Sequence, residues 1–301
     1  MKREHCSILT FYAIAPIHAG SGSMIGAIDL PIQRERHTNW PHIQASSVKG
    51  ALRDHFRSFA KVEEKSLINF IFGLDQENDG PADEAENIPS SVAVSDAKLI
   101  AFPVRSNLAP FVWVTCPLAI ERLQQDMKFI GVSEESPLGK VSINSENAHW
   151  IIKPDSLSAQ TILLEDLVLQ IKEEQKLQNN PIKHILPIPI DRLLLVSDEI
   201  FTYIVETSTE IQTQIKIDSE TGVTRTGSLR YQELLSSDSL LYSVIYFKDP
   251  TNNNENKLRV ENVKEYIKGN IKDFIQIGGD ETLGRGICSV SWYPKEKEAA
   301  Q

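Results

Sequence analysis

Apolar residues recur at every second position in several short runs of the chain, and at every third or fourth position in a few longer ones. The first alternating run, Cys6–Ala15, predicts a strand that Pro16 ends. Val48, Leu52, Phe56 and Phe59 then recur at helical spacing, and Ser46 or Ser47 offers a side-chain oxygen to open a helix through about Ala60. Val92–Phe102 and Phe111–Cys116 read as strands, and Pro117 opens a further helix. Leu240–Phe247 predicts a buried strand, and Ile287–Tyr293 a last one. Between them, Val260, Val263, Ile267, Ile271 and Phe274 mark one face of a helix. Strand–helix–strand order thus occurs twice, which predicts an α+β fold built on a ferredoxin-like sheet with long insertions. Neither a repeat nor a linker divides residues 1–301, so a single domain is expected.

Two segments stand outside this pattern. Residues 61–90 carry an acidic stretch, Asp75–Ser90, that is rich in proline, glycine and asparagine, and they predict an exposed acidic insertion. Phe201–Ile217 alternates β-branched with polar residues, Asp218–Gly222 supplies a turn, and Val223-Thr224-Arg225 leads back. The reading is a hairpin over about residues 200–232. With polar residues on both faces it is poor core material and is expected to project from the body.

Charge and cysteine content narrow the partners and the compartment. The net charge of −10 argues against a general scavenger of nucleic acid. Between Arg34 and Arg57, however, five Lys/Arg face only Glu35 and Asp54, a local +3, whereas Ser58–Ser90 carries −6. A basic surface on an acidic body fits specific binding of a polyanion within an assembly. Cys6, Cys116 and Cys288 lie far apart in apolar runs, which points to buried thiols in a reducing, cytoplasmic compartment. The apolar runs are too short and interrupted to span a membrane.

Candidate chemistry concentrates between Ala15 and Phe59. Gly20, Gly22 and Gly26 form a loop that lacks the third glycine of the dinucleotide fingerprint, since Ile25 stands there, and lacks the Gly-Lys-Ser/Thr of a P-loop. Glycine still permits backbone amides to approach phosphates, although a plain connecting loop fits as well. His18 and Asp29 flank the loop, an imidazole and a carboxylate suited to acid–base or metal-assisted chemistry. Asp29 alone also fits a turn residue bonded to its own backbone. On the predicted helix, Lys49, Arg53 and Arg57 form a basic stripe; Gly50 within it and Arg34 and Arg36 upstream favour a phosphate-binding face over a merely solvated one. Gly50 costs the helix about 1 kcal/mol relative to alanine, which a close-approaching backbone would explain. A second glycine loop runs from Gly278 to Gly286.

The segments PIHAGSG, IDLPIQRERHTNWPHIQASSVKGALRDHFR, VSDEIFTYIVETSTEIQTQIKIDSETGVTRTGSLRYQELL and IQIGGDETLGRGICSV together resemble the RAMP superfamily of CRISPR systems. Within it they resemble the multi-copy backbone subunit of type III-B (Cmr) effector complexes. The resemblance implies an RRM-like palm with a thumb hairpin, stacked with copies of itself as a filament along guide RNA (crRNA) beside other Cmr subunits. It also implies an endoribonuclease that needs a divalent metal, Mg²⁺ or Mn²⁺, and cuts target RNA at regular intervals where a thumb displaces a nucleotide. On this resemblance the catalytic residues are Asp29, which also binds the metal, His18 as the family's histidine, and Glu233 as the acidic residue after the thumb. Lys49 and Arg53 fall on the guide backbone. Arg57, Arg34, Arg36 and Ser47 around the helix, with Gly20, Gly22, Gly279 and Arg285 in the glycine loops, complete the expected RNA contacts. Ile215, Ile217 and Val223 are the wedge. A scaffold that coats guide RNA without cutting, and a guide-processing endoribonuclease of the same superfamily, remain as alternatives.

Overall fold

In the computed structural model, which describes residues 5–59, 65–73, 89–132, 143–155, 157–172, 182–250 and 259–294, the first alternating run forms strand β1 (Cys6–Ala13). It is buried along its whole length. Strand β2 (His42–Ile43) leads into helices α1 (Ala45–Phe59) and α2 (Lys65–Phe72), then strands β3 (Val92–Val94), β4 (Ala97–Arg105) and β5 (Phe111–Thr115). Helix α3 (Pro117–Phe129), strands β6 (Asn147–Ile152), β7 (Thr161–Leu164) and β8 (Leu167–Ile171), helix α4 (Ile182–Ile185) and strand β9 (Leu193–Leu195) follow. The chain closes through α5 (Asp198–Thr207), β10 (Glu210–Gln214), β11 (Arg230–Leu234), β12 (Leu240–Phe247), α6 (Val260–Asn270), β13 (Phe274–Gln276) and β14 (Ile287–Tyr293).

β1 lies between β12 and β14 and runs antiparallel to both. β12 pairs on its other side with β3 and β4, again antiparallel. With α1 and α6 as the two crossovers, the order β14–β1–β12–β4 is the split βαβ arrangement of a ferredoxin-like palm. β5, β9, β6, β8 and β7 extend the same sheet outward from β4. The predicted α+β class and the strands at both ends of the chain are as the alternation indicated.

Helix α1 buries Val48, Leu52 and Phe56, the face that the spacing predicts. Phe56 packs on Phe72 of α2 and stacks on Tyr266 of α6, with centroids 5.6 and 5.3 Å apart, so three helices share one apolar seam. That seam corrects part of the expected exposed insertion at residues 61–90. Lys65–Phe72 is a helix whose Ile68, Ile71 and Phe72 enter the core, while Asp75–Glu86 lies outside the described residues. Two other expectations on α1 change. It begins at Ala45, one residue ahead of the serines, and the Asp96 carboxylate accepts the Ala45 N–H at 2.7 Å, so the cap comes from another segment. Gly50 is exposed, and a Cβ there would meet nothing within 4 Å; no backbone of the described residues lies against it.

The largest departure is Phe201–Ile217. Its first part is α5, capped by the Ser197 side chain on the Ile200 N–H, with Asp198 and Glu199 at the positive end of the helix. Phe201, Ile204 and Val205 are buried at helical spacing, and Phe201 sets its edge against Trp40. The hairpin is therefore shorter than predicted: β10 and β11 pair over five residues, and an exposed loop with its turn at Asp218–Gly222 joins them. At the other end, α6 stops at Asn270, and Phe274 is an exposed residue of β13 instead of part of the helix face. All three cysteines are buried and free, and burial pushes the Cys288 thiol up to about 12. No described helix is long and apolar enough to cross a membrane.

Candidate active site and nucleic-acid interface

Past β1 the chain makes a bridge to the end of β11, Ile17 and Leu235 exchanging both backbone hydrogen bonds at 2.8 and 2.9 Å. This fixes the next residue, His18. Its Nδ1 lies 2.9 Å from the Glu233 carbonyl oxygen. A carbonyl only accepts, so Nδ1 is the donor, and the tautomer this bond selects has its lone pair on Nε2. The His18 carbonyl accepts the Gly279 N–H at 2.9 Å. Both glycine loops thus close on one histidine. A Cβ at Gly278 would sit 2.7 Å from the His18 carbonyl oxygen, and one at Gly20 would sit 2.8 Å from Nε2. Glycine at 20 leaves the basic nitrogen uncovered.

Asp29 is held from the same strand. Its Oδ2 accepts the Tyr231 N–H at 2.8 Å, and its own N–H donates to the Tyr231 carbonyl at 3.1 Å. The side chain is bonded across to β11, not to its own turn. Oδ1 has no hydrogen-bond partner among the described residues. Residues 20–27 between the two anchors are exposed, and Ile25 and Met24 stand out into solvent.

Glu233, two residues past Tyr231, is 3% exposed. Oε1 receives the Arg34 guanidinium at 2.5 Å and the Thr209 hydroxyl at 2.8 Å, and Oε2 receives the Ile32 N–H at 3.0 Å. Arg34 also donates to the carbonyls of Asn39 and Val205, at 2.9 and 3.1 Å. The structure thus turns Arg34, expected on RNA, into an internal tie between the loop, α5 and β11. Gln33 is a second tie: its amide donates to the Gly20 carbonyl at 3.1 Å, and its oxygen accepts the Gln44 N–H at 2.7 Å, just before α1. Ser47 lies within α1, its hydroxyl 3.4 Å from the Gln33 amide.

The basic stripe survives in altered form. Lys49 is half-buried, and burial together with the charges of Arg53 and Lys248 lowers its pKa. Arg53 donates to the Gly73 carbonyl, which fixes its guanidinium beside α2. Arg57 and Arg36 are exposed. Lys248, at the end of β12, was invisible to sequence reasoning because nothing near it in the chain is basic; only the β12–β3 pairing brings it beside α1. An anion beside Lys49 would favour its charged form.

At the hairpin, Ile215, Ile217 and Val223 are 50%, 66% and 62% exposed, as a projecting element requires. Arg285 is mostly buried and donates to the Gln212 side chain of β10 at 2.5 Å. Gln232 of β11 donates to Asp280 at 2.6 Å. The second glycine loop therefore joins the root of the hairpin to His18. Gly22, by contrast, is exposed, with open space around it.

A ferredoxin-like palm carrying these loops defines a class, and comparison with known proteins agrees: the chain belongs to the RAMP superfamily, whose model matches residues 10–289. A relative 34% identical over 296 residues, covering 94% of each chain, is the CRISPR system Cmr endoribonuclease Cmr4 of Pyrococcus furiosus, which places the chain in the Cmr4 family. The CRISPR system CMR subunit Cmr4 of Saccharolobus solfataricus is 23% identical over 95% of this chain and 98% of its own. Among solved structures, oligomeric Cmr4 from Pyrococcus furiosus superposes with a TM-score of 0.69 at 26% identity, covering 95% of this chain and 97% of that one. A chain of the type III-B Cmr-beta complex bound to cognate target RNA shares the fold, with a TM-score of 0.73 at 23% identity over 95% and 96% of the two chains.

Proposed function

We propose that this chain is a backbone subunit of a type III-B CRISPR assembly that lies along guide RNA with copies of itself and other Cmr subunits and cuts the complementary target RNA. The observation that carries the cutting role is the shared anchor of His18 and Asp29. Both are hydrogen-bonded to β11, at Glu233 and Tyr231, and β11 is one leg of the hairpin. A nucleotide displaced at the hairpin would therefore meet both groups. The relative from Pyrococcus furiosus is named an endoribonuclease, and a structural neighbour is described as bound to cognate target RNA.

In this reading a displaced nucleotide lets its 2′-hydroxyl line up with the adjacent phosphorus, which a stacked strand prevents. His18 Nε2, left as the acceptor, takes the 2′-hydroxyl proton. The 2′-oxygen bonds to phosphorus, the bond from phosphorus to the 5′-oxygen breaks, and that oxygen leaves as a hydroxyl with a proton from solvent. Asp29 orients the attacking group. Among the described residues no three His, Cys, Asp or Glu side chains converge as a metal cage. Asp29 Oδ1, without a hydrogen-bond partner among the described residues, is the oxygen that would hold a divalent ion. Mg²⁺ or Mn²⁺ there would offset charge on the phosphate.

Replacing Asp29 with alanine tests the assignment. Cleavage by the reconstituted assembly should fall by about 100-fold or more while guide loading and assembly persist. Unchanged cleavage would leave the chain as a scaffold. Cleavage of repeat RNA by the isolated chain would instead favour guide processing.

A further inference from the structure

The Glu35 carboxylate, one of only two acids between Arg34 and Arg57, has no part in the site described above. Helix α3 holds it. Arg122 donates to both of its oxygens, at 2.9 and 3.2 Å, and the two side chains are only 19% and 15% exposed. Two-point pairing fixes the plane of the guanidinium, which also lies over the Trp40 ring, 5.0 Å from its centroid. Trp40 is buried, and its indole N–H donates to the Thr202 hydroxyl of α5 at 2.8 Å. The two helices are themselves joined where the Asp198 carboxylate accepts the Leu118 N–H at 2.9 Å. Residues 35–40 are thus clamped between α3 and α5.

Within the clamp the backbone closes on itself. The Glu35 N–H donates to the Trp40 carbonyl and the Asn39 N–H to the Glu35 carbonyl, both at 2.9 Å. The Asn39 carbonyl in turn accepts from Arg34, which is bridged to Pro41 on the far side of the turn. Arg34 carries the guanidinium that meets Glu233, whose carboxylate holds the Ile32 N–H and whose carbonyl bonds His18. A continuous series of bonds therefore runs from α3 to the anchors of His18 and Asp29. We propose that Arg122 is a positioning residue for cleavage. By clamping Glu35 and Trp40 it sets the turn at 35–40, and through Arg34 and Glu233 it sets the places of His18 and Asp29. The inference rests on the cleavage reading and adds to it a helix outside the glycine loops and the hairpin.

The test follows single-turnover cleavage by the reconstituted assembly at saturating target, beside guide loading, target affinity and hydrogen exchange of the free chain. Arg122→Ala should slow cleavage about tenfold, the effect of displacing catalytic groups slightly, while loading and affinity keep their wild-type values. Exchange should rise across residues 29–40 and stay unchanged in β1 and β12. Arg122→Lys keeps a charge beside Glu35 but loses the two-point bond and the flat contact with Trp40, so its rate should fall between the two. It carries the same test if the alanine variant does not fold. Lys98→Ala breaks a different tie of the same helix, the 2.6 Å bond to Asp126, and should leave the rate unchanged. Wild-type rates in both Arg122 variants, an equal loss in Lys98→Ala, or a slowed rate with unchanged exchange across residues 29–40 overturns the positioning role alone. A wild-type assembly that leaves target RNA uncut overturns the cleavage reading and this role together.

Discussion

Every hydrogen-bonding direction of the Glu233 carboxylate that the fold uses points inward, to Arg34, Thr209 and Ile32, while its carbonyl holds His18. That arrangement makes Glu233 a positioning residue: it sets the register of residues 29–34 against β11, and with it the places of His18 and Asp29. Removing one partner of such a buried pair leaves an uncompensated charge, so Glu233→Gln or Arg34→Ala should lower stability by about 3–5 kcal/mol in denaturant unfolding. A Glu233→Gln protein with wild-type stability and no cleavage would instead put Glu233 in contact with the substrate. At this scale the sequence shows His18 and Asp29 flanking one glycine loop, but the residues alone fit a turn aspartate as well, and the catalytic role of both comes from the family resemblance. The role of Arg34 was not legible. Its partner lies 199 residues away, and an arginine in a basic segment reads the same whether it faces solvent or a buried acid.

Element by element, periodicity succeeded where one face is buried and failed where two periods overlap. Strands β1 and β12 and the buried face of α1 followed directly from spacing. Phe201–Ile217 carries β-branched alternation together with apolar residues at 201, 204 and 205, and the Ser197 cap with the Trp40 contact decides for helix in its first half. Gly50 belongs to this scale as well. It stands in mid-helix, exposed, beside the crowded Lys49 and Arg53, with open space where a side chain would go. Gly50→Ala should therefore stabilise the free chain by about 1 kcal/mol in thermal unfolding. If guide RNA lies across α1, the same change should weaken guide loading; stabilisation with unchanged loading would move the guide away from this face. The lowered pKa of Lys49 adds a sign. A phosphate partner favours its charged form, so guide affinity should be fully present at neutral pH and fall as pH rises through a value below that of an ordinary lysine. Titration of affinity on the alkaline side, with Lys49→Arg as the control that stays flat, would check it.

Across the whole molecule, the two proposed roles fall at opposite ends of one segment of the palm. The Gln33 side chain joins the glycine loop to the start of α1, so one residue ties the helix proposed to hold guide RNA to the loop that carries Asp29. The second glycine loop, which joins the antiparallel strands β13 and β14, ties His18 to the hairpin. This closure was beyond the sequence because it depends on strand order, β14 beside β1, which places residues 18 and 279 in contact. The measurement that tests the central claim most directly is the mapping of cut sites and end groups on target RNA cleaved by the reconstituted assembly. Attack by the 2′-hydroxyl under Asp29 predicts cuts at regular intervals, each leaving a 2′,3′-cyclic phosphate and a 5′-hydroxyl, all lost with Asp29→Ala. Fragments ending in 3′-hydroxyls, or the same cuts made by the Asp29→Ala assembly, would contradict it.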